Sequence, residues 1–384
     1  MKRKVLYFYL TQYYLPALIP LKFYKIDEVV IIRNRGEYYF DKYKDFKDLL
    51  ESEIPDIQVE QRVIDEIEDL NGVIDKDKNK VNFIYFSDEM GVESFYMHEI
   101  AIQNFITRVI ISQKSSKLIE FKNFKKKIYN VKDIALNIDN FIENFGGEIA
   151  SHNTEIFSTK KVNRFIDWII ANPEKWHNMN VHLFKKGQKF VIPKFKDANY
   201  SNIYFNKIQE NTRKFMYEFL YFLQEIEAID FHQSQNRIKI IYKEQGIANI
   251  FKKPGTWLEA LVLRVLKSIE NIDEVKASVQ FFWDGNLQKV RNELDILAVE
   301  DQQMICISCK DTNSYGKEAL NELDVYSKKI GGRNVKKLLV ATEDPYYQFD
   351  LDRSRSMDIK IIKYENDYGQ LVSNLYNAIH QNNK

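Results

Sequence analysis

Short apolar runs alternate with stretches of helical spacing along the first part of the chain. Residues 3–10 read as a buried strand, followed by a polar loop at Thr11-Gln12-Tyr13-Tyr14 and a helix start at Leu15-Pro16. Val29–Ile32 is a second strand, stopped by the turn formers Asn34-Arg35-Gly36. Tyr43, Phe46, Leu49 and Leu50 recur at the three- and four-residue steps of a helix over 41–53, and Val63 to Leu70 is read as helical as well. Val81–Phe86 is a strand, Ser87-Asp88-Glu89-Met90-Gly91 a polar connection into a helix ending near Phe105, and 109–111 and 117–121 are further strands. Alternation of this kind predicts an open, largely parallel α/β sheet over about residues 1–125. Such sheets hold ligands beyond the carboxyl ends of their strands, which singles out Thr11, Gln12, Ser87 and Asp88, although ordinary polar connections would look the same.

The middle of the chain carries less pattern. Phe121–Lys127 is a basic, aromatic-spaced run, readable as a solvated linker face or as a phosphate contact. From Asn206 to Ile229 an amphipathic helix is predicted (Ile208, Phe215, Phe219, Leu223, Ile226), then a turn over 230–237 and a strand over 238–242. A helix followed by a β-wing predicts a winged-helix-like segment within a linker region, 126–250.

Beyond it lie an apolar helix from Thr256 to about Ile269 and a half-buried strand, with Val275, Ala277, Val279 and Phe281 alternating with polar residues. A turn at Asp284-Gly285-Asn286 leads to a returning strand over about 287–299, with Glu293, Asp295, Leu297 and Val299 on one face and Leu294, Ile296 and Ala298 on the other. The strand 304–310 follows, then a helix from Lys317 to Ile330 closed by Gly331-Gly332, a strand over 335–342, a polar helix over 346–357 and a last strand over 358–364. Read this way, Asp295 and Lys310 stand side by side at a sheet edge, a carboxylate and an amine where metal-assisted phosphodiester cleavage needs them. Thr256 and Glu259 stand at capping-box spacing, so Glu259 either closes the helix N-terminus or faces a metal.

Composition narrows the classes. Of 384 residues 45% are hydrophobic and 14% aromatic, enough for packed cores in two or three domains, and 56 Lys and Arg against 55 Asp and Glu give no global sign of a nucleic-acid binder. No run of eighteen apolar residues suggests a membrane span. Met1–Leu10 imitates a signal peptide, but Thr11, Gln12 and Pro16 interrupt it. With only 2 cysteines a disulfide framework is excluded and a cytoplasmic setting fits. Cys306 and Cys309 lie three apart on one strand and so point to opposite faces, which favours packing over zinc or redox chemistry.

Helix, three antiparallel strands, helix and strand is the core order of restriction-endonuclease-like nucleases. Gly255-Thr-Trp-Leu-Glu259, Asn292-Glu-Leu-Asp295, Ile307-Ser-Cys-Lys310 and Glu318-Ala-Leu-Asn-Glu-Leu followed by Gly331-Gly332 together resemble the nuclease domain of the CARF-domain effectors of type III CRISPR defence. Four motifs in order carry the likeness over about 252–345, whereas over 1–125 it is one of layout. The resemblance implies an α/β chain of three parts: a Rossmann-like, CARF-type sensor (1–125), a winged-helix-like linker (126–250) and a PD-(D/E)xK nuclease domain (251–384). It further implies a homodimer that cleaves nucleic acid with Mg²⁺ or Mn²⁺ when cyclic tetra- or hexaadenylate occupies the sensor near Thr11, Gln12, Ser87 and Asp88. Asp295, the backbone carbonyl of Cys309 and Glu259 would hold the metal, Lys310 would position water or stabilise the transition state, and Glu293 shares the face of Asp295.

Two departures from the family pattern stand out. Ser308 occupies the position, two before the lysine, where the superfamily has a carboxylate, so Glu259, Glu318 or Glu322 is expected to supply the missing charge, the last two one turn apart on a helix. The acidic Ser87–Gly91 loop stands where the family has a Gly-rich ligand loop. A restriction- or repair-type DNA endonuclease without ring-nucleotide control, and a non-catalytic nucleotide-sensing regulator, are the competing readings. The sequence leaves RNA and DNA substrates undivided.

Overall fold

The structure is a computed structural model that describes residues 2–75, 77, 79–87, 90–180, 190–191, 199–204, 210–253, 255–283, 291–312 and 315–380. The expected turn at 284–286 lies outside the described residues, as does Asp88.

A seven-stranded sheet is built from β1 (Lys4–Tyr9), β2 (Glu28–Asn34), β3 (Gln58–Ile64), β4 (Val81–Phe86), β5 (Thr107–Ser112), β6 (Lys117–Lys122) and β7 (Lys125–Asn130), in the order β3-β2-β1-β4-β5-β6-β7. The first five are parallel, and β6 and β7 return antiparallel. Val5–Tyr9 and Val29–Ile32 are buried throughout, as central parallel strands covered on both faces must be. Helices α1 (Leu18–Tyr24), α2 (Glu37–Glu53), α3 (Leu70–Val73) and α4 (Val92–Gln103) connect them.

Two expectations fail at the sheet edges, for one reason. Residues 58–64 form an edge strand, and the helix read over 63–70 shrinks to a short turn and α3. The basic run 121–127, read as a linker face, is the β6–β7 hairpin, turned by Asn123 and Phe124 at φ 46° and 61°. Edge strands carry polar and charged side chains that discourage pairing with other chains, so they lack the apolar signal of central strands.

Past β7 come α5 (Ile138–Glu143), β8 (Glu148–Ser151), α6 (Thr154–Phe157), α7 (Lys160–Ala171), α8 (Pro173–Asn180), β9 (Phe190–Val191), β10 (Tyr200–Tyr204), α9 (Glu210–Glu225), β11 (Ile229–Ser234), β12 (Arg237–Tyr242) and α10 (Gln245–Lys252). The helix expected over 206–229 is α9, but the expected turn 230–237 is mostly strand β11. Its hairpin with β12 belongs to a four-stranded antiparallel sheet, β11-β12-β10-β9, rather than standing alone as a wing.

The last part contains α11 (Thr256–Ser268), β13 (Ile272–Phe282), β14 (Asn292–Glu300), β15 (Gln303–Lys310), α12 (Lys317–Gly331), β16 (Lys336–Ala341), α13 (Gln348–Ser356), β17 (Ile359–Lys363) and α14 (Tyr368–His380). Its sheet runs β17-β16-β15-β14-β13-β8. The middle region thus lends β8 to this sheet, paired to β13 beside Gly147, where a Cβ would lie 2.8 Å from the Phe282 carbonyl oxygen. One core packs α11 and α14 against α6, α7, α9 and α10. Another is continuous from β1 and β2 through Tyr13, Tyr14 and Phe141 to β13–β16 and α12, so the two large sheets share an interior. Among the described residues no helix is long and apolar enough to cross a membrane.

Candidate functional site

Asp295 and Lys310 lie on adjacent central strands, not at a sheet edge as expected, with Lys310 Nζ 4.0 Å from Asp295 Oδ2. Asp295 Oδ2 accepts from the Cys309 backbone N–H at 2.7 Å and from Ser308 Oγ at 3.1 Å. The serine at the departing position therefore serves the carboxylate as a hydrogen-bond donor.

The expected regular alternation on β13 and β14 breaks at this point. Ala277 and Ile296 enter the core under α11, whereas Val279 and Leu294, two residues away on each strand, enter the core shared with the seven-stranded sheet. Residues two apart share a face in a regular strand. Ala277 pairs with Ile296 and Val279 with Leu294, which puts Ser278 and Asp295 between them, and Ser278 has φ +49°, in the left-handed region that a side chain resists. Both strands thus change face at the site, and the alternation predicted for 275–281 and 293–299 is overturned there.

Glu259 closes the cluster from α11. Its expected capping partnership with Thr256 is absent: Gly255 is the N-cap residue and makes no side-chain cap bond. Only 3% exposed, Glu259 instead accepts from Ser278 Oγ at 2.5 Å. Burial, and next the charge of Asp295, push its carboxyl up to about 7, against the pull of Ser278 and Lys253. Lys253 stands 4.0 Å from Glu259 Oε1 and 2.6 Å from Glu293 Oε1, and Gln280 Nε2 also donates to Glu293, at 3.4 Å. Lys253 and Ser278 belong to no motif and were not anticipated; their signal is three-dimensional.

Glu318 and Glu322 are both exposed on α12, and among the described residues no hydrogen bond or ion pair joins either to Asp295 or Lys310. Of the three carboxylates considered as replacements at Ser308, the structure brings only Glu259 to Asp295. A residue the motifs passed over, Asp311, accepts from Trp257 Nε1 at 3.0 Å, Asn180 Nδ2 at 2.5 Å and Thr342 Oγ1 at 2.9 Å, which anchors the end of β15 to α8, α11 and β16.

Two or more carboxylates buried together without a balancing cation carry a large desolvation and repulsion cost. Burial and the neighbouring Asp295 raise the Glu259 carboxyl even with Lys253 and Lys310 nearby. Carboxylate oxygens are ligands of the hard kind that Mg²⁺, Mn²⁺ and Ca²⁺ take, although among the described residues no group of three or more His, Cys, Asp or Glu side chains is gathered as a metal site. Cys306 and Cys309 sit in different cores, as their spacing implies, with the Cys306 thiol pushed up to about 12 by burial.

At the other end of the fold Thr11 and Gln12 line a cavity of about 710 Å³, together with Asn34 at the end of β2, Glu93 of α4, and Lys328 and Arg333 of the C-terminal part. Thr11 Oγ1 donates to the Tyr13 carbonyl at 3.2 Å. Ser87 is buried beneath the carboxyl end of β4 and is not part of the lining.

Residues 249–381 match the family model of the Card1-like endonuclease domain. No curated protein matches the chain by sequence. Among solved structures the chain is similar to protein VC1899 from Vibrio cholerae (TM-score 0.74, 15% identity, 97% of each chain covered). It is also similar to Can2 from Sulfobacillus thermosulfidooxidans, determined with cyclic tetra-adenylate (TM-score 0.69, 14% identity, 98% of this chain and 99% of that one). A type III CRISPR defence DNA nuclease activated by cyclic oligoadenylate aligns at TM-score 0.51 and 9% identity, over 97% of this chain and 52% of that one. At these identities the likeness to solved structures is one of fold. The endonuclease match is made by the sequence itself and spans every member of the Glu259, Asp295 and Lys310 cluster, so the C-terminal part of the chain is a nuclease domain.

Proposed function

We propose that this chain is a divalent-metal-dependent endonuclease switched on by a cyclic oligoadenylate, acting as a cytoplasmic homodimer in type III CRISPR antiviral defence. The observation that carries the catalytic half is the convergence of Glu259, Asp295 and Lys310 where β13 and β14 change face, inside the matched endonuclease domain. The regulatory half is supported by the sensor-type sheet, by the cavity at the carboxyl ends of its strands, and by the fold shared with a protein determined with cyclic tetra-adenylate.

Asp295, Glu259 and the Cys309 carbonyl would hold the Mg²⁺ or Mn²⁺. A bound divalent cation of this kind polarises a phosphoryl oxygen and makes water a better nucleophile. The chain's own groups do the rest. The Cys309 N–H and Ser308 hydroxyl fix Asp295 Oδ2, leaving Oδ1 to face outward from those bonds. Lys310, with its side chain 30% exposed, is placed to orient the attacking water and to meet charge growing on the phosphate oxygens, a contribution worth most where water is excluded. Lys253 holds Glu293 and lies near Glu259, so the three acidic groups do not face one another uncompensated.

Asp295→Asn keeps the shape and the acceptor for Cys309 N–H but removes the charge; Lys310→Ala removes the amine. Cleavage by either should fall at least a hundredfold with the melting temperature little changed, measured on plasmid and on single-stranded RNA and DNA with Mg²⁺ or Mn²⁺. Full activity in either variant would rule out the role assigned to that residue. Stimulation of the unaltered chain by cyclic tetra- or hexaadenylate tests the regulatory half in the same assay.

A further inference from the structure

The cavity next to Thr11 and Gln12 is not walled by the sensor sheet alone. Its far side is the carboxyl end of α12 and the start of β16, contributing Lys328, Gly332, Arg333 and Lys337. Lys337 is buried and committed, donating to Asp324 Oδ1 at 2.8 Å and to the Met357 carbonyl. Lys328 pairs one helical turn back with Asp324 at 2.8 Å and keeps its amine at the surface. Arg333 is exposed and, among the described residues, makes no ion pair or hydrogen bond. The acidic side chains in the same cavity are Glu93, which accepts from the Tyr9 hydroxyl at 3.4 Å, and Asp358.

The contact between these two walls is close. Gly332 has φ +66°, and a Cβ there would come within 3.1 Å of the Tyr13 ring, two residues after Thr11. Gln113 at the end of β5 receives a hydrogen bond from Asn334 Nδ2 at 3.1 Å and donates to the Gln302 carbonyl at 3.4 Å. The ligand loop therefore rests directly on the carboxyl end of α12. That helix has 15 residues, about 22 Å at the rise of an α-helix, and its other end follows the loop leaving Lys310.

We propose that Lys328 and Arg333 form the second wall of the ring-nucleotide site, so that one ligand phosphate is bound by cations belonging to the nuclease domain itself. The inference rests on the reading of the chain as a ring-nucleotide-activated nuclease and adds where the signal enters. Each internucleotide phosphate carries a negative charge, and a guanidinium offers it paired donors in a matching plane. A cavity of about 710 Å³ has room for part of such a ring, a nucleotide and its phosphate. Because the cations ride on α12, binding energy that differs between two positions of that helix shifts the nuclease between them, which is what coupling requires.

Binding of cyclic tetraadenylate and cyclic hexaadenylate to the full chain, by calorimetry, and cleavage with and without each ring test it on the unaltered protein, Arg333→Gln and Lys328→Gln. Both side chains are at the surface, so the variants should melt as the parent does. Arg333→Gln should weaken ring binding about tenfold or more and raise the ring concentration needed for stimulation to the same extent, while cleavage without ring stays at the parental rate. Lys328→Gln should do the same more weakly. If the parent binds a ring and Arg333→Gln binds it equally well, the second wall is wrong and ring activation stands. If the parent binds neither ring, ring activation and the second wall fall together, with the catalytic assignment untouched.

Discussion

Glu259 shows most plainly how a residue's surroundings set its chemistry. Its carboxyl, pushed up to about 7 chiefly by burial and then by Asp295, is protonated over much of the acid range. A metal needs the carboxylate, so Mn²⁺ affinity should drop about tenfold per pH unit below 7, and Glu259→Gln should show weak affinity with no such slope, both read by calorimetry. Stability without metal runs the other way. An acid whose folded pKa lies above its unfolded one contributes stability that is present below about 4.5 and lost as pH rises through about 7. The metal-free chain should therefore be less stable at pH 8 than at pH 5 from this group, on the order of 3 kcal/mol, and Glu259→Gln should remove most of that loss in denaturant titrations. Ser308→Ala takes one of two donors from Asp295 Oδ2, so cleavage should fall by about fivefold, the worth of one ordinary hydrogen bond, rather than vanish. At this scale the nearness of Asp295 and Lys310 was legible from their motif spacing on successive strands. Lys253 and Ser278 were not, because their role comes from the fold bringing α10 and β13 to β14.

Among elements, the paired break in β13 and β14 matters most. Reading the strands as regular ladders put Val279 and Phe281 on the face of Ala277 and Leu294 on that of Ile296, and it missed the burial of Ser278 and Phe282, because a change of face between apolar residues leaves no trace in composition. The site sits where the pattern misleads, as expected when local regularity gives way to function. The edge strands β3 and β7 escaped notice for the complementary reason, their polar side chains. Strand β8 is too short to show a period at all, and its docking depends on space: Gly147→Ala would put a Cβ 2.8 Å from a backbone oxygen. That variant should lose about 1–3 kcal/mol in denaturant titrations, with loosened pairing of β8 to β13 in amide exchange.

For the whole molecule, the interior shared by the sensor sheet and the nuclease sheet is the feature that composition alone could not reveal. Division of the chain into three parts describes the sequence, whereas packing joins the seven-stranded sheet to β13–β16 and α12 in one continuous core. A cavity at that seam, far along β15 from Lys310, is where a bound ring nucleotide would act on β15 through α12 and β16 under the proposal. The measurement that tests the central claim most directly is cleavage of plasmid and single-stranded substrates by the unaltered chain, Asp295→Asn and Lys310→Ala, with Mg²⁺ or Mn²⁺ and with or without ring nucleotide. The account predicts metal-dependent cutting by the parent, raised by a ring, and near-background cutting by both variants at unchanged melting temperature. Cutting at the parental rate by either variant, or by the parent in excess chelator, would contradict it.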